Sequence, residues 1–436
     1  MKNKDRGKLL HPPTLAVFER SEHSIDRDRR TFLAQTAGIA AATASSWATP
    51  AAAAQAADAA PVWMRVPGAP MRGYGQPSKY EGKVLRAVVP NFGELAPGTG
   101  TSRTPLQLLE GTITPNGLHF ERHHNGVPDI DPAQHKLLIH GFVRKPIEFS
   151  IEALLRYPMV SRTCFIECAG NSGLNTLPKP PQTTAGMIHG LVSCSEWTGV
   201  PLSLLLKEAE LDSDAQWLLA EGADSAAMSR SIPLRKALDD ALIALYQNGE
   251  RIRPEQGYPV RLLLPGYEGN MHVKWLRRLK ATDAPTHTKD ETSKYSDLMR
   301  DGKARQFTFV MGVKSVITRP SGGMTMQGPG LYEVSGLAWS GAGRITRVDV
   351  TNDGGTSWKQ ADLGPSLPQS LTRFRLPWEW NGAPALLQSR ALDDKGHVQE
   401  TRAEWNALYS PGNRFHNTMI QTWAVNRDGT INNVYL

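Results

Sequence analysis

The segment at 164–172 reads Cys164-Phe165-Ile166-Glu167-Cys168-Ala169-Gly170-Asn171-Ser172. Its first residues are apolar enough for a buried strand, and its last ones are small residues that favour a tight turn. The pattern predicts a strand that ends by presenting the Cys168 thiol, and thiolates are ligands that soft metal ions prefer. The small neighbours also let a bulky cofactor approach the backbone. Taken alone, however, the segment favours the simpler interpretation that Cys168 is a small buried apolar residue.

The composition is that of a soluble globular protein with more than one domain. The chain has 436 residues, of which 40% are hydrophobic and 21% are charged, and this length predicts two or more domains. Of the formal charge of +7, residues 58–436 carry about +4. A nucleic-acid-binding role would need a concentrated basic stripe, and the sequence has none. No stretch reaches the roughly 18 apolar residues that a membrane span requires.

The first 57 residues have the pattern of an export signal. Residues 28–33 read Asp28-Arg29-Arg30-Thr31-Phe32-Leu33, and an alanine-rich stretch follows to about Ala57. A paired arginine before a weakly apolar stretch is typical of twin-arginine signal peptides, which direct folded proteins to the periplasm. We therefore expect residues 1–57 to be a signal peptide and the protein to be periplasmic; a flexible basic tail is the alternative.

The remaining sequence changes character twice. Residues 58–108 are rich in proline and glycine and predict an extended arm, whereas residues 109–303 mix short strands and helices, including a strand at 137–141 and a helix capped by Ser150. From about residue 305, alternating stretches at 306–313, 330–339, 345–351 and 372–376 predict strands. The turn at 352–355, Asn-Asp-Gly-Gly, predicts a hairpin. We expect this last region to form a β-sandwich.

Several motifs occur in an order that resembles the sulfite oxidase family. The Cys168 segment resembles the family's E/Q-C-A-G-N signature, and Phe120-Glu121-Arg122-His123-His124 resembles its F-x-R-N-H segment. Downstream segments that resemble family motifs are Glu221-Gly222-Ala223-Asp224, Gly257-Tyr258-Pro259-Val260-Arg261 and His272-Val273-Lys274-Trp275-Leu276. Tyr295 lies 21 residues after Lys274, where the family's catalytic tyrosine falls. The resemblance covers about residues 110–425.

The resemblance implies a fold and a cofactor. The fold is an α+β molybdopterin-binding domain at 109–303 followed by an all-β immunoglobulin-like dimerisation domain at 304–426, in which Asn352 to Trp358 resembles a family hairpin. The cofactor is molybdenum bound to molybdopterin, with Cys168 as the metal ligand. The implied catalytic residues are Cys168, Arg122 and Tyr295. The implied cofactor-binding residues are Phe120, His123, His124, Asp224, Arg261, His272, Val273 and Lys274.

These roles agree with the chemistry of the side chains. The planar guanidinium of Arg122 can pair with a substrate oxyanion, while Arg261 and Lys274 suit the pterin phosphate. The Asp224 carboxylate can accept hydrogen bonds from the N–H groups of a pterin.

The sequence also departs from the family pattern. His123 stands where the family usually has asparagine, and Gln256 stands where many members have a histidine. Ser172 and Gly173 replace a second arginine that sulfite-oxidising members carry. Loss of that charge should weaken a site for free sulfite, and we hypothesise that it leaves room for a bulkier sulfur substrate.

A closer resemblance is to the SoxC branch of the family, the molybdenum subunits of sulfane dehydrogenase. It rests on the segments 117–124 and 290–295 and on the tail at 423–426. It implies oxidation of sulfane sulfur on a carrier protein during thiosulfate oxidation, by oxygen-atom transfer from molybdenum to sulfur. The implied electron acceptor is a separate c-type cytochrome subunit (SoxD-like), and the implied assembly is a homodimer of this chain within a hetero-oligomer. The sequence has no C-x-x-C-H motif for attaching a haem itself.

Three alternatives remain open at this point. The first is a periplasmic sulfite dehydrogenase that acts on free sulfite, and the second is a non-catalytic scaffold that kept the fold. The third is a methionine sulfoxide reductase type, which the presence of the region at 305–425 disfavours because that type lacks the sandwich domain.

Overall fold

A computed structural model of the protein describes residues 61–90 and 98–436, so the predicted signal peptide lies outside the described residues. The chain divides into two units, 1–76 and 77–436. The described part of the first unit contains a 3-10 helix at Val62–Met64. In the described residues, no helix has the length and apolar character needed to cross a membrane.

The first domain of the second unit is built on two five-stranded sheets. Its strands are β1 (Ala87–Pro90), β2 (Gly100–Arg103), β3 (Glu121–His123), β4 (Lys136–Gly141), β5 (Ile147–Ser150), β6 (Val160–Glu167), β7 (Val192–Pro201), β8 (Trp217–Gly222), β9 (Ser229–Pro233), β10 (Leu242–Gln247), β11 (Glu250–Arg251), β12 (Arg261–Leu263), β13 (Leu276–Thr282), β14 (Asp297–Leu298) and β15 (Ala304–Arg305).

These strands form one sheet in the order β5-β4-β13-β8-β9 and another in the order β11-β10-β7-β6, with β12 also paired to β10. In the first sheet β4 and β13 are parallel, whereas the neighbouring pairs are antiparallel. A small sheet, β1-β2-β3, pairs the end of the N-terminal arm with the segment that carries Arg122. The main apolar core, which includes Leu137, Leu218, Ile243 and Leu262, draws on both five-stranded sheets.

Short helices connect these strands. The α-helices in the described part of the second unit are α1 (Ile151–Leu154), α2 (Ala185–His189), α3 (Leu202–Glu208), α4 (Leu234–Asp239), α5 (Lys289–Thr292) and α6 (Arg402–Leu408). The cap predicted at Ser150 is confirmed, since its hydroxyl accepts a hydrogen bond from the Ala153 N–H at 3.1 Å. The strand predicted at 137–141 is confirmed as β4.

The second domain is a sandwich of two antiparallel sheets. Its strands are β16 (Lys314–Arg319), β17 (Gly330–Trp339), β18 (Ile345–Thr351), β19 (Lys359–Gln360), β20 (Asp362–Leu363), β21 (Thr372–Trp380), β22 (Ala385–Asp393), β23 (Thr422–Val425) and β24 (Ile431–Val434). The sheets run β16-β17-β21-β20 and β19-β18-β22-β23-β24. Their apolar faces meet in a core that includes Val348, Phe374, Leu387 and Trp423. This confirms the predicted sandwich, including three of its four proposed strands.

The strand predicted at 306–313 is wrong. Phe307 and Phe309 have φ angles of +58° and +52°, which lie outside the extended region. Their rings lie 5.3 Å apart, and the Phe309 ring stacks on Tyr267 of the first domain at 5.2 Å. The apolar residues of this segment therefore pack against the first domain, and the strand begins at Lys314.

Candidate active site

The metal-ligand candidate lies at the end of a central strand. Cys168 is the first residue beyond β6, and its N–H donates to the Leu191 carbonyl at 2.9 Å. Its own carbonyl accepts from the Asn171 N–H at 2.8 Å, which closes a tight turn. The Asn171 side chain donates to Glu167 Oε1 at 2.9 Å and accepts from the Leu191 N–H at 3.1 Å. Hydrogen bonds to Leu191 and Glu167 therefore fix the turn without any ligand.

The Cys168 turn lines a cavity that is partly open to solvent. All eleven site residues predicted from the sequence line it: Phe120, Arg122, His123, His124, Cys168, Asp224, Arg261, His272, Val273, Lys274 and Tyr295. The sequence did not predict the other lining residues, which are His119, Glu121, Ile166, Met228, Gln256, Gly269, Asn270 and Trp275. Six separate segments of the first domain thus converge on one cavity.

Lys274 is held in place by the backbone of the cavity wall. Its ammonium donates to the carbonyls of Arg122 at 3.2 Å and Glu255 at 3.1 Å, and it lies 4.4 Å from the Trp275 ring centre. Burial and the nearby Arg261 cation hold the pKa of Lys274 well below its usual value. A bound anion would offset both effects, which suits this residue to contact a phosphate.

His123 fills the place of the family asparagine with a fixed tautomer. Its Nδ1 accepts from the Lys274 ammonium at 2.9 Å, so its Nε2–H donates to Glu121 Oε2 at 2.8 Å. Burial lowers the pKa of His123, although the hydrogen bond to Glu121 opposes this shift. The ring therefore links the Lys274 ammonium to a carboxylate and orients both groups.

Tyr295 and His124 form a second pair at the cavity. The Tyr295 hydroxyl lies 3.0 Å from His124 Nε2. Burial, followed by the Arg122 cation, lowers the pKa of His124 to about 3, and burial raises the pKa of Tyr295. The imidazole is therefore neutral, and the phenol donates to it. Tyr295 has a φ of +50°, and the Arg230 guanidinium lies 5.4 Å from its ring centre.

Arg261 is buried in the cavity wall. Its guanidinium donates to the carbonyls of Gln256 at 2.9 Å and His272 at 3.0 Å and lies 5.0 Å from the Trp197 ring centre. Burial lowers its pKa to about 9. The Gln256 amide, in turn, donates to the Phe120 carbonyl at 2.9 Å. The Gln256 side chain therefore links its own segment to the Phe120 segment. Many family members have a histidine at this position.

The His272 ring is engaged with the protein. Its Nδ1 accepts from the Leu264 N–H at 3.2 Å, and its Nε2–H donates to the Tyr267 carbonyl at 3.0 Å. The neighbouring Val273 carbonyl accepts from the Leu262 N–H at 2.9 Å. These contacts fix the segment that carries Lys274, and the His272 ring has no free nitrogen to offer a ligand.

Polar atoms without a protein partner lie in the cavity wall. Burial lowers the pKa of His119 to about 3, and its Nδ1–H donates to the Phe120 carbonyl at 3.1 Å. This leaves its Nε2 buried with no partner among the described residues, and the same holds for Asn270 Oδ1 and Arg261 Nε. Asp224, only 7% exposed, adds a carboxylate. Such atoms need a ligand or water, because an unpaired buried polar group is costly.

The protein provides one thiol at this site, that of Cys168. The described residues contain no cluster of three or more histidine, cysteine or carboxylate side chains that could hold a metal ion by themselves. Burial raises the pKa of Cys168, whereas the Gly170 N–H and the Arg122 cation oppose this shift. One thiolate, a set of cations and unpaired hydrogen-bonding atoms fit a metal whose other ligands come from an anionic organic cofactor. The other two cysteines, Cys164 and Cys194, are free and buried.

A buried ionic network beneath the cavity was not predicted. Arg230 is fully buried, and its guanidinium lies 3.1 Å from Glu268 Oε1. Glu268 Oε2 lies 3.4 Å from His416 Nε2, and His416 Nδ1 lies 2.9 Å from Asp297 Oδ1. The network therefore runs from beneath the Tyr295 ring to the C-terminal part of the chain. No motif marks these residues, so the sequence offered no signal for them.

Comparisons with known proteins agree with this geometry. A family model described as the oxidoreductase molybdopterin binding domain matches residues 124–289, and one described as the Mo-co oxidoreductase dimerisation domain matches residues 305–423. Mitochondrial sulfite oxidase from Mus musculus is 30% identical over 346 residues, which cover 73% of this chain. Nitrate reductase [NADPH] from Phytophthora infestans is 32% identical over 384 residues, which cover 76% of this chain and 42% of that protein. The chain spans only 63% of the length of the sulfite oxidase.

A solved structure gives a fuller match. The crystal structure of the sulfane dehydrogenase SoxCD from Paracoccus pantotrophus matches with a TM-score of 0.83 at 46% identity, covering 86% of this chain and 97% of that chain. The match includes both domains, so the α+β domain followed by an immunoglobulin-like sandwich is confirmed. Family membership implies a molybdenum–molybdopterin cofactor, which fits the donor set of the cavity. The chain belongs to the sulfite oxidase family of molybdopterin oxidoreductases.

Proposed function

We propose that this protein oxidises sulfane sulfur bound to a carrier protein and passes the electrons to a c-type cytochrome. The observation that carries the proposal is the environment of Ser172. This residue stands where sulfite-oxidising members carry an arginine, and it is 1% exposed. Its hydroxyl accepts from the Lys314 ammonium at 2.6 Å and lies 2.7 Å from His189 Nδ1. Ser172 is neutral and is not among the lining residues, so the cavity has no positive charge from this position.

The remaining charges favour a singly charged substrate. The cations that line the cavity are Arg122, Arg261 and Lys274, and each of them donates to at least one backbone carbonyl. With Arg261 and Lys274 assigned to the pterin phosphate, Arg122 is the cation left for the substrate. A terminal persulfide on a carrier has one negative charge, whereas sulfite carries up to two. The 46% identity to a chain of a sulfane dehydrogenase also supports a carrier-bound persulfide as the substrate.

The chain's own residues have clear roles in this reaction. The molybdenum cofactor, when bound, supplies oxygen-atom transfer to sulfur and takes up an electron pair. For each oxygen added, one water is consumed, and two protons and two electrons leave. Cys168 holds the metal, and the Arg122 guanidinium orients the anionic sulfur by charge and hydrogen bonding. The neutral His124 ring accepts a hydrogen bond from the Tyr295 phenol and so orients it.

The partners and location follow from the same proposal. The electron acceptor would be a separate SoxD-like c-type cytochrome subunit, which the similarity to a chain of SoxCD supports. A carrier protein would present the sulfur on a mobile cysteine, and two copies of this chain would pair through the second domain. The twin-arginine pattern would direct the chain, folded around its cofactor, to the periplasm. Replacing Arg29 and Arg30 with lysine should then retain the protein in the cytoplasm, as cell fractionation would show; normal export would refute this route.

Substrate competition with the holoenzyme tests the proposal. Initial rates are measured for a persulfidated carrier protein and for free sulfite, with cytochrome c as the electron acceptor. We expect kcat/KM to be at least about tenfold higher for the carrier, a difference of about 1.4 kcal/mol. Preference for sulfite would contradict the proposal and favour a sulfite dehydrogenase. Purified protein that lacks both molybdenum and pterin would instead favour a non-catalytic scaffold.

A further inference from the structure

A side chain of the second domain contacts the residues on both sides of the Cys168 turn. Lys314 is the first residue of β16, and its side chain is 1% exposed. Its ammonium lies 3.1 Å from Glu167 Oε1 and donates to the Ser172 hydroxyl at 2.6 Å. Glu167 and Ser172 stand immediately before Cys168 and at the end of its turn. One buried cation from the second domain therefore holds both ends of this turn.

Trp339 completes the same contact from the neighbouring strand. It ends β17 and pairs with Lys314 in the sheet register. Its indole N–H donates to Glu167 Oε2 at 2.7 Å, while Glu167 Oε1 accepts from Lys314 and Asn171. Both oxygens of this fully buried carboxylate are thus occupied, and two of the three donors come from the second domain. The orientation of Glu167 depends on the packing of the two domains.

Backbone hydrogen bonds add to this attachment. The Phe165 N–H, in the strand before Cys168, donates to the Gln369 carbonyl at 2.9 Å. The Ala169 carbonyl, just after Cys168, accepts from the His416 N–H at 2.9 Å. Gln369 and His416 both lie in the C-terminal part of the chain, beyond the start of the second domain. The segment on each side of Cys168 is therefore tied to that domain by its main chain as well.

We propose that Lys314 and Trp339 are positioning residues for the metal ligand, which act through Glu167 so that the packed second domain holds Cys168 in the direction that binds molybdenum. Without Lys314, the buried Glu167 carboxylate would lose its compensating charge and would have to move toward water or another donor. Cys168 is the next residue, so such a movement would displace its thiol. Small displacements matter at such a site, because ligand geometry depends on the groups that support it. The inference depends on the cofactor and not on which sulfur compound is oxidised.

Three variants of the full chain test this inference. Lys314→Met removes the charge while keeping a side chain of similar length, and Lys314→Met combined with Glu167→Gln removes both charges of the pair. The control is Arg373→Met: Arg373 is 3% exposed and donates to the carbonyls of Leu109 and Gly111, so it ties the same domains together away from the turn. The measurements are molybdenum and pterin per folded chain, the thiolate-to-metal charge-transfer band, and the alkylation rate of Cys168 in protein expressed without molybdate.

The expected results separate positioning from general stability. Lys314→Met should weaken molybdenum retention by at least about tenfold, the usual effect of removing a group that supports a metal ligand. It should also shift the charge-transfer band and change the alkylation rate of Cys168. The double variant should recover most of the molybdenum, because it leaves no buried charge unpaired. Arg373→Met should lower the thermal unfolding midpoint but keep molybdenum per folded chain and the band unchanged.

Two outcomes would overturn the inference. One is a Lys314→Met protein with the wild-type metal content, band and alkylation rate. The other is a loss of molybdenum that follows the unfolding midpoint equally in the Lys314 and Arg373 variants. If Lys314→Met does not fold, Trp339→Phe decides, because it removes only the indole donor to Glu167. A shifted band and alkylation rate in that variant support the inference, and unchanged values refute it.

Discussion

Replacing His416 with glutamine should remove stability that the protein has at pH 6 and lacks at pH 10. His416 is 4% exposed and lies 2.9 Å from Asp297 and 3.4 Å from Glu268. Burial alone would lower its pKa, but the two carboxylates outweigh burial and raise the pKa from 6.5 to about 9. A rise of this size corresponds to about 3 kcal/mol of stability.

The sign follows from the raised pKa. The folded protein holds the proton more tightly than the unfolded chain, so the His416 contribution is complete below pH 6.5. It declines as the pH rises from 6.5 and is lost above about pH 9. His416→Gln should therefore lower the free energy of unfolding by about 3 kcal/mol at pH 6 and by much less at pH 10.

Urea unfolding of the wild-type protein and the variant at pH 6, 8 and 10 measures this difference. The control is His397→Gln, because His397 contacts Asp393 at 2.9 Å but is 60% exposed. An exposed ion pair contributes about 0–1 kcal/mol, so this variant should stay close to wild type throughout. The reasoning fails if the stability difference between wild type and His416→Gln is the same at pH 6 and pH 10.

Three further predictions concern the site and the core. Tyr295→Phe should lower kcat by about 10²–10⁴-fold with little loss of molybdenum, because it removes a positioned proton donor. Steady-state rates measure this effect, and an unchanged kcat would argue against a catalytic role for Tyr295. Lys274→Met should reduce the pterin content of the purified protein, measured by fluorescence after oxidation, because a cation of the cavity is lost; full pterin content would exclude a cofactor contact. Phe374→Ala in the sandwich core should lower the free energy of unfolding by about 3–5 kcal/mol, whereas a loss below about 1 kcal/mol would show that the site repacks.

The residues around the cavity could be predicted because they occur in ordered motifs. Cys168 follows a strand and precedes small residues, and the segments with Arg122 and Lys274 keep family spacing. All the predicted site residues line one cavity in the structure. What the motifs could not reveal is how each side chain is used. The His272 ring, for example, is fully engaged with backbone groups, and the Gln256 amide donates to the Phe120 carbonyl.

The supporting residues could not be predicted, for a physical reason. Lys314, Arg230 and His416 are single charged residues without a motif, and isolated charges in a sequence are usually solvent-exposed. Their partners lie far away along the chain, so burial and pairing arise only when the domains pack. The strand prediction for the segment at 306–313 was wrong for a related reason. Its alternation of apolar residues is that of a strand, but Phe307 and Phe309 adopt positive φ angles in packing against the first domain.

The central claim is that the Cys168 thiolate binds the metal on which turnover depends. The most direct test is the molybdenum content and sulfur-oxidation rate of purified Cys168→Ser protein, beside Cys194→Ser as the control. The Cys194 thiol is buried and lies 3.3 Å from the Ser370 hydroxyl, away from the cavity lining. We predict that Cys168→Ser folds but retains little molybdenum and turns over at the background rate, whereas Cys194→Ser keeps both. Wild-type molybdenum content and turnover in Cys168→Ser would contradict the account.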